Sequence, residues 1–258
     1  MPTAAPENKD FVTALAKGLD VLTCFNRARS RLTLSDVARA TGATPASARR
    51  SLMTLQALGY LASDGKWYWM QPQALRVAHA YLSSSATPQL AQPFLDSLSE
   101  RTRESASLAQ LVGDDVIIIA RSTARRSLSV GLTIGSRLPA YCSALGRMLL
   151  AALPPAAVHA HVQRMDLVAL TARTVVNAQA VLAQVALARN RGFSTSDGEL
   201  ELGVRSMAVP VFNRSGQAIA AMSIAVRVDR ASLAEMTEAF LPPLLRAQGK
   251  LAELLYAG

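Results

Sequence analysis

Residues 32–61 read LTLSDVARATGATPASARRSLMTLQALGYL, and two helices with a tight turn between them are legible in that stretch. Thr33 stands three residues before Asp36, the spacing at which a capping hydroxyl and an acidic side chain satisfy each other's free backbone amides. Leu34, Val37 and Ala38 then supply a two-turn apolar face. Gly42 closes this helix. Thr44 followed by Pro45 is a cap and then a proline at the first helical position, which starts a second helix expected to run to about Leu58. Along it Ala48, Leu52 and Leu55 recur at i, i+4 and i+7 and form a buried stripe. At about 100° per residue Ala46, Arg50 and Met53 point the other way, with Ser47 and Arg49 on the flanks. One face is apolar, and the other is small, polar and basic.

The flanks extend the pattern. Upstream, FVTALAKGLDVLTCF (11–25) places Leu15, Leu19 and Leu22 at helical spacing, and the basic loop NRARSR follows. Downstream, GYLASDGKWYWM (59–70) carries Asp64-Gly65, a strong hairpin-turn signal, between residues that suit strands. Helix, capped turn, helix and hairpin compose a winged helix-turn-helix, whose second helix has the shape and chemistry to enter a major groove. Thr44, Ala46, Ser47, Arg49, Arg50 and Lys66 are the DNA-contact candidates, with Arg27, Arg29 and Arg31 as further basic positions. The competing reading makes these arginines an ordinary solvated helix face. Trp67, Tyr68 and Trp69 suit base stacking, but aromatics on a strand more often pack on a helix, and packing is the expectation.

Composition agrees. The 258 residues carry a formal charge of +9, of which residues 1–82 hold +5, so the N-terminal third is the more basic per residue, as a polyanion-binding domain requires. Half the residues are hydrophobic, enough to core two domains, yet uncharged runs such as 148–158 and 218–226 are too short or too Pro-interrupted to span a bilayer. The polar start MPTAAPENKD lacks a secretory pattern, so a cytoplasmic location is expected. Cys24 and Cys142 fall in different domains and are not expected to pair. The scattered histidines do not make a metal site, and no cofactor is expected. The expected division is a disordered leader at 1–10, a DNA-binding domain at 11–82, a linker and connecting helix at 83–104, and a second domain at 105–258. In this last domain a hairpin (105–122, turning at Gly113), a strand at 127–134 and strands at 205–212 and 217–228 alternate with helices at 143–152, 155–163, 178–191 and 231–256. That order gives an α+β domain with a mainly antiparallel sheet.

Four ordered segments together resemble the IclR family of transcription regulators: FVTALAKGLDVLTCF, the stretch quoted above, GSRLPAYCSALGRMLLA, and GFSTSDGELELGVRSMAVPVFNRSGQAIAAMSIAV. The LPAYCSALGRMLLA version is most similar to the branch that regulates breakdown of aromatic acids such as hydroxybenzoate, protocatechuate or β-ketoadipate pathway intermediates. The resemblance implies a GAF-like effector domain binding a small organic acid, and dimers or dimers of dimers on palindromic double-stranded operators. It also implies an effector pocket to which Tyr141, Cys142, Ser143, Ala144, Leu145, Gly146, Asp197, Glu199, Ser206 and Met222 are carried over. Within that frame the acid's anionic end is expected at the N-terminus of the helix starting near Ser143, where free backbone amides and the helix dipole favour an anion. Two other readings stand beside it. Cys142 at a helix start could serve an enzyme as nucleophile, although no histidine partner is evident, or the second domain could merely oligomerise a DNA-binding protein without an effector. The acids Asp197, Glu199 and Glu201 invite an acid/base reading, but without histidine company a solvated turn is expected.

Overall fold

The structure is a computed structural model that describes residues 9–123 and 131–257. The expected disordered leader falls largely outside the described residues, as does most of the strand expected at 127–134, whose described part, 131–134, is not strand. The chain divides into two compact units, residues 1–81 and 82–258.

In the first unit, α1 (Thr13–Thr23), α2 (Leu34–Thr41) and α3 (Pro45–Ala57) pack around a core of Val21, Val37, Ala48, Leu52, Leu55 and Leu61. The caps form as the sequence predicts. Thr33 and Asp36 make the reciprocal capping box, Gly42 takes a left-handed conformation (φ 65°), and the Thr44 hydroxyl accepts from the Ser47 amide. A three-stranded sheet follows in the order β1-β3-β2, from β1 (Leu32–Thr33), β2 (Leu61–Ser63) and β3 (Trp67–Met70). The first of these lies within the quoted stretch and was not expected there, because two residues are too few to show a period. A 3₁₀ turn (Pro72–Ala74) and α4 (Leu75–Ser84) complete the run; only Ser85 separates α4 from α5 (Ala86–Thr102), so the linker expected at the start of 83–104 is mostly helical.

The second unit is a six-stranded sheet, order β6-β5-β4-β9-β8-β7, in which every neighbouring pair is antiparallel. Its strands are β4 (Ser105–Val112), β5 (Asp115–Ser122), β6 (Arg137–Pro139), β7 (Ser194–Asp197), β8 (Val204–Phe212) and β9 (Ala218–Arg227). One face is covered by α6 (Ala144–Ala151), α7 (Pro155–Arg164) and α8 (Ala178–Arg191). The other is covered by α5 with α10 (Leu241–Ala257), which α9 (Leu233–Ala239) precedes. The helix expected as a connector, α5, buries Ala91, Leu95 and Leu98 in this second layer. Period-two alternation sorts the strands: Ala109, Ala208 and Ala221 face α6, whereas Leu108, Met207, Val209 and Met222 face α5 and α10.

The glycine within α6 has a steric cause. A Cβ built on Gly146 would stand 2.2 Å from Ala140 Cα and 2.5 Å from Ala140 O, so the helix seats directly on backbone at that point. Gly146→Ala should therefore lift α6 off the β6–α6 loop and lower stability by about 3 kcal/mol, the upper part of the range for overpacking. Calorimetry should show the loss in the C-terminal transition alone, and an unshifted transition would mean that α6 is not seated this way.

Candidate functional site

The first candidate surface is the exposed side of α3. Ala46, Arg49 and Arg50 are exposed, and Lys66 is exposed at the hairpin tip. Ser47 is a correction: it is buried, because it follows the cap by three residues and falls beside Ala48 on the inward face. Thr44 is exposed, with its oxygen engaged in the cap. Arg50 borders a groove formed with α1 and lined by Leu15, Leu19, Ser51 and Leu58, so the more outward cation of the pair is Arg49.

The hairpin is rigid for local reasons. Asp64 Oδ1 accepts from the amides of Lys66 (3.1 Å) and Trp67 (2.8 Å), bonds that hold its carboxyl below the usual aspartate range, and Gly65 supplies φ +96°. Tyr68 and Met70 pack on the core. The expectation for all three aromatics is corrected for the tryptophans, which strand alternation turns the other way. There Arg31 stacks 4.3 Å from the Trp69 ring and Lys66 lies 5.6 Å from that of Trp67. Arg31 also pairs with Asp64 at 3.6 Å, which ties the basic loop to the wing.

The second candidate site is a narrow cleft in the other unit, of about 60 Å³, room for a few water molecules. It lies on the α6 face of the sheet and is lined by Ser143, Ala144 and Leu145 at the start of α6, by Ile118, Leu132, Leu138 and Leu200, and by the strand residues Ser107, Ser196, Ser206 and Ser223. Two charged residues also line it, Arg121 and Glu201. Arg121 arrives there through a β-bulge. Ala109 pairs with Ile118 but Leu108 pairs with Ala120, so Ile119 is an extra residue; Ile119 and Ala120 both lie in the α5/α10 layer, and Arg121 is turned to the cleft. Its Nη1 donates to Ser107 Oγ at 2.6 Å, and burial holds its pKa below the ordinary arginine value.

Of the ten residues carried over, Ser143, Ala144, Leu145 and Ser206 line this cleft. The others are corrected. Met222 lies on the opposite sheet face, one residue out of phase with Ser223, which does line the cleft. Tyr141 and Cys142 are buried beneath α6, the Tyr141 hydroxyl donating to Val168 O at 2.6 Å, and Gly146 is the backbone seat described above. Burial pushes the Cys142 thiol up to about 12, which makes it an inert packing group and not a nucleophile. Asp197 pairs with Arg205 (2.8 Å) and Arg173 (3.1 Å).

Glu199 is buried, not on a solvated turn. Its two carboxylate oxygens accept from Arg147 Nη1 and Nη2, each at 2.5 Å, and Arg147 is only 2% exposed. Arg147 also donates from Nε to Tyr141 O (2.8 Å) and from Nη1 to Thr195 O (3.3 Å), while the Val175 amide donates to Glu199 Oε2 (3.2 Å). The Thr171 and Thr174 hydroxyls donate to the carbonyls of Gly198 and Glu199 at 2.7 and 2.6 Å. This network holds the β7–β8 loop, and with it Leu200 and Glu201, against α6. Neither Arg147 nor Arg121 was read as functional from the sequence. Arg147 sits in an apolar helical run, and Arg121 has the wrong phase unless the bulge is known.

The comparisons match this architecture. The family model "Bacterial transcriptional regulator IclR C-terminal" matches residues 79–252, and "IclR helix-turn-helix domain" matches 14–65. Among relatives, the Pca regulon regulatory protein of Pseudomonas putida is 42% identical over 96% of this chain and 85% of its own length. The p-hydroxybenzoate hydroxylase transcriptional activator of Acinetobacter baylyi is 33% identical over 96% and 93%. Among solved structures, an IclR homolog of Microbacterium hydrocarbonoxydans complexed with 4-hydroxybenzoate superimposes with a TM-score of 0.75 at 26% identity, covering 95% of this chain and 100% of that one.

The buried pair makes a sharp prediction. Glu199→Gln leaves the Arg147 guanidinium buried without its counter-charge and should cost about 3–5 kcal/mol, whereas replacing both partners together by methionine should cost clearly less than either single change. Denaturant unfolding of the three variants measures this, and additive losses would refute the coupling.

Proposed function

Because the chain belongs to the IclR family of bacterial transcription regulators, in the branch that governs aromatic-acid catabolism, we propose that its C-terminal cleft binds the controlling acid with Arg121 on the carboxylate. The chain is a DNA-binding regulator and not an enzyme. The observation that carries the cleft reading is a guanidinium turned by a bulge into a small, serine-rich space of this size, where a carboxylate would receive charge-assisted hydrogen bonds in a partly dehydrated setting. The N-terminus of α6 backs the same wall. Ser143 already spends its oxygen on the Gly146 amide at 3.0 Å, so the helix end contributes backbone dipoles and the full charge comes from Arg121.

On the DNA side, α3 enters the major groove with Arg49 reading base edges, Arg50 and Thr44 alongside it, and Lys66 on the wing following the phosphates. The protein works in the cytoplasm as a dimer on a palindromic operator, since one recognition helix reads only a half-site. The groove beside α1 supports that assembly: Leu15 and Leu19 are 64% and 53% exposed although the helix is amphipathic, and a second copy would cover them. That groove lies in the DNA-binding unit, so pairing there would set the half-site spacing.

Three outcomes test these assignments. Arg121→Ala should lower affinity for the cognate acid at least 30-fold by calorimetry with operator binding retained, and unchanged affinity would place the carboxylate elsewhere. In gel shifts, Arg49→Ala should relax base preference, while Lys66→Ala should weaken all duplexes alike and reduce the salt slope by about one unit. An unaltered slope would remove Lys66 from the backbone contacts. Leu15→Glu with Leu19→Glu should convert a sedimenting dimer to monomer and abolish the preference for intact over half-scrambled operator, and a dimer that persists would reject this face.

A further inference from the structure

Arg121 is held from both sides of the sheet. Its guanidinium lines the cleft and donates to Ser107 Oγ at 2.6 Å. Its backbone carbonyl accepts from Gln92 Nε2 of α5, on the opposite layer, at 3.2 Å. The same nitrogen donates to Asp96 Oδ1 at 2.9 Å, one turn further along the helix. Neither oxygen can donate, so the amide has one orientation and uses both of its hydrogens. Gln92 is thereby fixed to its own helix and to β5 at once.

As it stands the cleft has room for a carboxylate but not for the rest of an organic acid. It holds about 60 Å³, whereas a single benzene ring occupies a cavity of roughly 150 Å³. Entry therefore requires a wall to move, and most of the walls are held. The helix α6 rests on the Ala140 backbone at Gly146, the β7–β8 loop is tied by Arg147 and two threonines, and β4, β8 and β9 are paired on both edges. The end of β5 is different. Among the described residues β6 pairs with Asp115–Ile117 only, so beyond Ile118 this strand keeps β4 as its one strand neighbour, and the bulge breaks the ladder to β4 at that point.

The helix at the other end of the Gln92 bond is also weakened there. Pro93 lies inside α5 and has no amide hydrogen to give the Gln89 carbonyl, so the helix lacks a rung beside Gln92. Upstream, Ser85 alone parts α5 from α4, most of which lies in the DNA-binding unit.

We propose that Gln92 carries effector occupancy from the cleft to the DNA-binding unit: an acid that enters displaces β5 at its bulge, the Arg121 carbonyl moves with the strand, and the Gln92 bond bends α5 at Pro93. This rests on the reading of the cleft as the effector site and adds the route by which that site acts on DNA binding. Only the displaced state has room for the acid, and such a difference in affinity between two states is what an effector needs to shift their equilibrium. Gln92 touches neither acid nor DNA and is a positioning residue. Its loss should leave both sites able to bind and uncouple one from the other.

The test uses the full chain with 4-hydroxybenzoate, protocatechuate and β-ketoadipate, taking forward each acid that gives heat in calorimetry. Hydrogen exchange follows the transmission. Acid bound to wild type should change protection in three places: β4 and β5 around the bulge, α5 around Pro93, and α4. In Gln92→Leu the first change should remain and the other two should vanish. That variant should bind the acid as tightly as wild type or more tightly, because β5 is released, and should still shift operator DNA. A wild type without the change in α5, or a Gln92→Leu protein that keeps the changes in α5 and α4, overturns the inference while leaving the effector site intact. A variant that loses acid and operator binding together also overturns it, since that is the mark of a merely structural role. If none of the three acids gives heat with wild type, or if Arg121→Ala binds the acid undiminished, the effector reading of the cleft falls and this coupling with it.

Discussion

A guanidinium that is 2% exposed in an apolar layer must have its charge and its donors met, and much of the C-terminal unit is arranged around doing so for Arg147. The residue lies on α6, whose other side chains are buried without exception. Its partners come from three separate segments: Tyr141 before the helix, Thr195 on β7, and Glu199 in the following loop. Glu199 in turn gathers the 171–175 segment through Val175, Thr171 and Thr174. A hydrophobic replacement would pack as well, so this network is better understood as fixing position than as adding stability. What it fixes is the loop that forms one wall of the cleft.

Around that wall the cleft depends on two further local features. Gly146 allows α6 to touch the backbone at Ala140, which brings Ser143, Ala144 and Leu145 close above the sheet. The extra residue in β5 turns Arg121 inward. With strict alternation after Ile118, Ala120 would face the cleft and the arginine would be buried among the side chains of α5 and α10, where a charge has no partner of the right kind. A single inserted residue thus decides whether this fold turns a cation into the cleft.

The N-terminal unit obtains its precision by shorter-range means. The starts of α2 and α3 and the turns beside them are specified by a residue and its near neighbours: Thr33 with Asp36, Gly42, Thr44 with Pro45, and Asp64 with Gly65. The stacking of Arg31 on Trp69 adds a longer contact that braces the wing to the loop after α1. This difference accounts for how readily each unit could be read. Local rules suffice where the interactions are local.

From the sequence alone came the winged helix-turn-helix, its buried stripe and exposed basic face, the α+β character of the second domain, the family, and the start of α6 among the candidates that line the cleft. All of these follow from caps, turn residues and periodicity, which act over a few residues. Tertiary structure decided the rest. Ser47 turned out buried because a helix flank is assigned inside or outside only by what packs on it. Met222 and Ser223 exchanged roles because strand phase is set by register with neighbouring strands and not by composition. The fates of Asp197, Glu199 and Glu201, alike in the sequence, were separated by which arginines the fold brought within reach, 52 residues away along the chain in the case of Arg147 and Glu199. Arg121 became part of the site only through the bulge, a mismatch between two paired strands, and such a mismatch is a property of the pair that neither strand's own sequence contains.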